Sequence, residues 1–203
     1  MNGVVCRGLK ELVVEYYGQP TWLAVHERAG LAPRLYVPAT DYPDDLVRTL
    51  VDATVSETGV EREALLSALG HAIAPDLLEI YGVHVRDEWT TLDIVANVER
   101  LLHDAFTANR FTSFEPPRVR SESVGERTQL VHYASGRGGC ALFEGVLEGL
   151  GDHYDEHLLV DHRECAHDGA DGCAVVVTRR EEPPGSATDA TGIPDGRADP
   201  LAE

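Results

Sequence analysis

Tyr133, Ser135 and Arg137 stand at alternate positions of one short segment. On an extended chain such side chains point the same way. Each can donate a hydrogen bond to an anion, and Arg137 can do so bidentately. The comb matches a dicarboxylate or a phosphate, although an ordinary strand end can carry the same three residues. A second group is rich in sulfur. His162 and Cys165 form an H-x-x-C knuckle, Cys173 follows across a glycine-rich turn at 168–172, and Cys140 lies upstream. Three sulfurs and one nitrogen make a closed tetrahedral set suited to structural Zn2+. His153, His157 and His167 compete with His162 for the fourth place. A Cys165–Cys173 disulfide, or simply buried thiols, is the alternative. With four protein ligands no position stays open for water, which argues against a zinc enzyme. The third candidate is His103, one of nine histidines. It borders an apolar helical seam, and neutral imidazole is a common axial ligand of five-coordinate haem. Leu102 and Phe106 would supply the dry walls that a haem needs.

Helical periodicity dominates the first half of the chain. Val5, Leu9, Leu12, Val13 and Tyr16 mark a first helix that Gly18 stops, and Pro20 opens a second ending near Gly30. Asp41, Pro43, Asp44 and Asp45 place negative charge and a proline at the start of a third, which explains these carboxylates better than metal binding does. A fourth helix is expected over 61–69 with Gly70 as its stop, and Pro75 is expected to open another through Leu77, Leu78 and Tyr81. Thr90 and Asp93 have capping-box spacing. The helix they start carries Leu92, Val95, Leu102 and Phe106 to about Ala108. Residues 111–118, with Pro116 and Pro117, read as a non-helical connector. Beyond Pro117 the texture changes to alternation over 118–124 and 127–134 around a turn at Gly125 and Glu126. A helix over 140–154 and strands over 157–161 and 173–178 follow. The fold class is α+β: an N-terminal helical subdomain over about 1–112, then a helix-covered antiparallel four-stranded sheet over about 113–180. Residues 181–203 read as a disordered acidic tail with six acids and one arginine.

The formal net charge is −18, and Lys10 is the single lysine. Such a balance argues strongly against a nucleic-acid partner, because phosphate repulsion would have to be overcome. It suits a protein working in high salt, or simply reflects an acidic protein from a GC-rich genome. There is no apolar run long enough for membrane insertion and no signal-peptide pattern, so a cytoplasmic location is expected. No Ser-His-Asp order, phosphate-binding glycine loop or pair of acid/base carboxylates is found, so no enzyme activity is expected.

Taken together, the chain resembles the haem nitric oxide/oxygen-binding (H-NOX, HNOB) domain family, relatives of the haem domain of soluble guanylate cyclase. The resemblance spans most of residues 1–180. It is carried by Met1 to Val5, Ala29-Gly30-Leu31, Tyr42 to Asp45, Leu102-His103, Pro116-Pro117-Arg118, the Tyr-x-Ser-x-Arg segment at 133–137 and Phe143-Glu144-Gly145. It implies haem b, with His103 as the proximal iron ligand, Tyr133, Ser135 and Arg137 on the propionates, and Pro117 against the porphyrin. The connector from His103 to the paired prolines is one residue longer than in some relatives. The resemblance further implies distal positions Val5, Leu9, Ile73, Leu77 and Leu142. Members that hold oxygen place a tyrosine where Leu142 stands. Nitric oxide is therefore the expected ligand, with carbon monoxide a second. His71 and Tyr81 are the nearby donors that could upset that expectation. Some bacterial members carry a cysteine-rich zinc site in the region of Cys140, His162, Cys165 and Cys173. Signalling in trans to a histidine kinase, a cyclic-dinucleotide enzyme or a chemotaxis receptor is implied. The alternative is a haem-free small-molecule-binding module of the vinyl-reductase (V4R) type with a structural zinc.

Overall fold

The computed structural model describes residues 3–38, 40–82, 85–108, 117–137, 139–166 and 169–180. The expected tail at 181–203, the connector at 111–116, Pro116, His167 and the side chains of Tyr81 and Phe106 lie outside the described residues. The element order is α1 (Gly3–Tyr17), α2 (Gln19–Arg28), α3 (Asp44–Thr58), α4 (Arg62–Tyr81), α5 (Thr91–Ala108), β1 (Arg118–Gly125), β2 (Thr128–Ala134), α6 (Cys140–His153), β3 (Leu158–Glu164) and β4 (Cys173–Arg179). The class is α+β, with six helices and a four-stranded antiparallel sheet of order β1-β2-β4-β3 among the described residues.

Local chemistry accounts for most element ends. Asp44 and Asp45 sit in the first turn of α3, and Gly59 closes it in the left-handed conformation at φ 74°. The capping box of α5 is formed: Thr90 N donates to Asp93 Oδ2 at 2.9 Å, and Asp93 N donates to Thr90 Oγ1 at 3.3 Å. Glu61 caps α4 by accepting from the backbone N–H groups of Glu63 and Ala64.

α4 departs from the sequence expectation. It runs unbroken through Gly70 and Pro75, so the predicted stop and restart do not occur. The reason is α6. A methyl at Gly70 would overlap the Leu142 carbonyl, and one at Gly145 would overlap the Ser67 carbonyl. Gly70 is therefore a close-approach residue and not a helix stop. Pro75 has no N–H for the His71 carbonyl one turn back. That carbonyl instead faces Gly149 of α6. The two helices pack backbone against backbone along this line, and Gly145→Ala should force them apart. We expect about 1–3 kcal/mol of lost stability from such overpacking, read by denaturant titration. An unchanged midpoint would contradict the close approach.

Two apolar cores result. The first packs α1 to α4 around Leu9, Val25, Leu50, Leu69 and Ile73; the second packs α5 and α6 on one sheet face around Val95, Val131, Leu147 and Val175. At about 25 cal/mol per Å2 of buried apolar surface, such cores supply the main drive for folding. No described helix is long and apolar enough to cross a membrane.

Candidate functional site

Between the two cores lies a cavity of about 400 Å3. α1 contributes Val5; α3 contributes Asp44, Val47, Arg48 and Val51; α4 contributes Arg62, Leu66, Ile73, Ala74, Leu77 and Leu78. The opposite wall is Ile94, Val98, Leu101 and Leu102 of α5, Val119 of β1, and Leu142, Phe143, Val146 and Leu150 of α6. Pro117, Tyr133, Ser135 and Arg137 complete it. The polar groups in this lining are confined to Asp44, Arg48, Arg62, Tyr133, Ser135 and Arg137. An apolar slot with anion donors grouped on one segment fits a flat, greasy molecule that carries carboxylates.

The comb is built differently from its sequence picture. β2 ends at Ala134, and Ser135, Gly136 and Arg137 lie beyond it, the latter two in a turn. All three polar side chains nevertheless line the cavity. Tyr133 stacks on Phe143 of α6, with ring centroids 4.5 Å apart and planes 13° from parallel. Burial pushes the Tyr133 phenol up, so it is a protonated donor at neutral pH. Arg137 Nε donates to Asp44 Oδ2 at 2.7 Å. Burial works to raise the Asp44 carboxyl, but hydrogen bonds that include Arg137 outweigh it and hold the group below its ordinary value. Asp44 thus orients the guanidinium from α3, across the cavity mouth. In the sequence this residue carries only the signal of a helix start.

The distal positions divide. Val5, Ile73, Leu77 and Leu142 line the cavity. Leu9 is fully buried in the helical core, outside that lining. His71, a rival donor, is turned to α6, where its Nε2 lies 2.8 Å from Asp152 Oδ2. His103 is exposed and is not in the lining, although Leu101 and Leu102 are. It follows Leu102 by one residue, a further ~100° around the helix. Along α5, Leu92 and Val95 pack on the sheet core, Ile94 and Leu101 line the cavity, and Val98 and Leu102 do both. The seam read from the sequence names Leu92, Val95 and Leu102, which do pack on the sheet core, and omits the cavity-lining Ile94, Val98 and Leu101.

The sulfur cluster comes together as spaced. One ligand atom each from Cys140, His162, Cys165 and Cys173 lies within 4.8 Å of the others. Cys140 and Cys173 are joined as a disulfide, whereas Cys165 is free, so the Cys165–Cys173 pairing considered from sequence is not the one formed. The sheet register explains this. Cys173 pairs with Tyr133 across β4 and β2, which sets it beneath the first turn of α6 where Cys140 stands. Cys6 is buried in α1, where burial raises its thiol to about 11, and it takes no part.

Comparison with known proteins agrees with this architecture. The family described as Haem-NO-binding matches residues 2–162. The chain belongs to that haem-NO-binding (H-NOX) family, whose domains are sensors. Among solved structures, an H-NOX protein from S. oneidensis in the Fe(II)NO ligation state is 21% identical, covers 89% of this chain and 100% of its own, and has a TM-score of 0.79. A mutant of T. Tengcongensis H-NOX is 20% identical, covers 89% and 98%, and scores 0.77. An Fe(II) unliganded H-NOX mutant from K. algicida is 15% identical, covers 89% and 97%, and scores 0.74. These likenesses establish the fold. No curated protein matches the chain. The V4R alternative is not supported: the family match and these structural neighbours are H-NOX.

Proposed function

We propose that residues 1–180 form a haem-based nitric oxide sensor that signals to a separate protein and performs no catalysis itself. The observation that carries this reading is the apolar cavity bordered by Tyr133, Ser135 and Arg137 in a chain of the haem-NO-binding family. Haem b would supply the ferrous iron at which a diatomic gas binds. Tyr133, Ser135 and Arg137 would hold its propionates, Arg137 with its guanidinium steadied by Asp44. Pro117 would pack on the ring, and the aliphatic walls would exclude water. His103 is the proposed axial ligand. Among the described histidines it is the one that directly follows cavity-lining residues. His26 is locked in the helical core by Trp22 and Tyr36, and His71 is turned to Asp152. A visible spectrum of protein supplied with haem tests the reading. An intense Soret band supports it, and no band overturns it.

The propionate comb predicts an order of effects. Arg137→Ala removes charge-assisted bonds worth about 1.5–3 kcal/mol, whereas Ser135→Ala removes one worth about 0.5–1.5 kcal/mol. Haem transfer to excess apomyoglobin should therefore be fastest from Arg137→Ala. Equal rates in both variants and in the parent protein would refute the propionate role.

We also propose that the reduced cluster of Cys140, His162, Cys165 and Cys173 holds one structural Zn2+. The ligand atoms already lie within 4.8 Å of one another, against about 3.8 Å for the tetrahedral edge implied by ~2.3 Å zinc–sulfur bonds. His162 Nε2 is buried and has no hydrogen-bond partner, as a nitrogen reserved for a metal would be. The disulfide and the metal exclude each other. Two-electron reduction of the Cys140–Cys173 bond by a dithiol yields the two thiolates that zinc needs, and a thiol oxidant takes those electrons back and releases the ion. Reduced protein should bind about one zinc per chain with or without haem, and diamide should expel it. Failure of the reduced protein to bind zinc would sink this assignment.

The output would pass to a partner in trans. A histidine kinase, a cyclic-dinucleotide enzyme and a chemotaxis receptor are the candidates that the resemblance supplies. A cytoplasmic location belongs to the same proposal.

A further inference from the structure

His162 is held from behind. Its Nδ1 lies against Oε1 of the Glu144 carboxylate, an oxygen that takes no hydrogen bond from any described residue. The two side chains are 28% and 29% exposed, which shields the pair from bulk water. Glu144 stands on α6, four residues after Cys140, so one face of that helix carries both a ligand sulfur and this carboxylate. His162 comes from β3, opposite Val175 of β4. Just beyond it the register slips, so that two residues of β3 oppose one of β4 before Cys165. Such a bulge re-aims the strand end toward the cluster.

An Nδ1–H donated to a carboxylate fixes the imidazole tautomer and leaves the Nε2 lone pair outward. That Nε2 is the buried atom without a partner. We propose that Glu144 is a positioning residue of the metal site: it orients His162 and is not itself a ligand. The inference rests on the zinc reading above. It adds a charge to the balance as well, since three thiolates and the Glu144 carboxylate surround one divalent ion and one imidazole. The arrangement also explains how a site with one imidazole among three sulfurs keeps that imidazole in place, where a flexible ring would otherwise have to be ordered on binding.

The test uses the reduced full chain with zinc alone, titrated against a chromophoric chelator, and Co2+ as a spectroscopic substitute. Glu144→Ala should weaken zinc binding about 10- to 100-fold, the usual effect of losing such an outer partner. The Co2+ bands should remain those of a four-coordinate site with three sulfurs and one nitrogen. Glu144→Gln keeps an acceptor for Nδ1–H and should fall between the two. In a His162→Cys background, Glu144→Ala should lose its effect, because there is no ring left to orient. Unchanged affinity in Glu144→Ala, with His162→Ala still weakened, overturns the positioning role and spares the zinc site. An equal loss in the His162→Cys background overturns it too, by showing that Glu144 acts without His162. No zinc binding by the parent chain overturns both readings.

Discussion

His103→Ala is expected to abolish the five-coordinate ferrous haem spectrum while leaving the fold intact. Among the described histidines, no other directly follows residues of the cavity wall. The helix that carries His103 is held independently, by its capping box and by Leu92 and Val95 on the sheet core. An exposed side chain contributes little to stability, so the variant should denature within about 0.5 kcal/mol of the parent. Exogenous imidazole should restore the spectrum by occupying the place of the lost ligand. A second consequence follows from the exposure of His103 in this structure. If it binds the iron, loading with haem must withdraw it from solvent, and diethyl pyrocarbonate should modify it more slowly in the loaded protein. An unchanged ferrous spectrum in His103→Ala, or equal modification with and without haem, would exclude this ligand.

Leu142→Tyr should confer oxygen binding on a protein expected to keep its ferrous spectrum in air. Val5, Ile73, Leu77 and Leu142 line the cavity with hydrocarbon, and His71 is engaged with Asp152. Dioxygen on ferrous iron draws negative charge and gains from a hydrogen-bond donor; nitric oxide and carbon monoxide gain far less. A phenol at position 142 would offer a hydrogen bond to that charge worth about 1.5–3 kcal/mol, or roughly 10- to 150-fold in oxygen affinity. The parent ferrous protein should therefore keep its spectrum in air and change it with nitric oxide. Oxygen binding by the parent, or no gain in Leu142→Tyr, would show that the wall near the iron is not the one formed by these residues.

Much of this protein is written in local sequence. The Thr90 and Asp93 pair starts α5 where it is expected because a capping box needs only four consecutive residues. The β1–β2 hairpin and the apolar run of β4 likewise follow from short-range alternation. The Tyr-x-Ser-x-Arg segment can be picked out as a set of cavity-lining donors because its members are neighbours in the chain, and the spacing of Cys165 and Cys173 points to the cluster for the same reason.

Tertiary contact decided the rest. Gly70 and Pro75 read as helix punctuation until α6, more than sixty residues later, presses its own glycines against that face and keeps α4 continuous. Asp44 reads as a helix-start acid, and only the folded chain brings it to Arg137, ninety-three residues away. Cys140 finds Cys173 because the β2–β4 register sets Cys173 opposite Tyr133, beneath the first turn of α6. Periodicity gives the angle of His103 around α5 but not which apolar residues of that helix meet the sheet and which the cavity. That choice belongs to the packing of α5 between them, because burial rewards apolar area on either side alike and shape alone distinguishes the two.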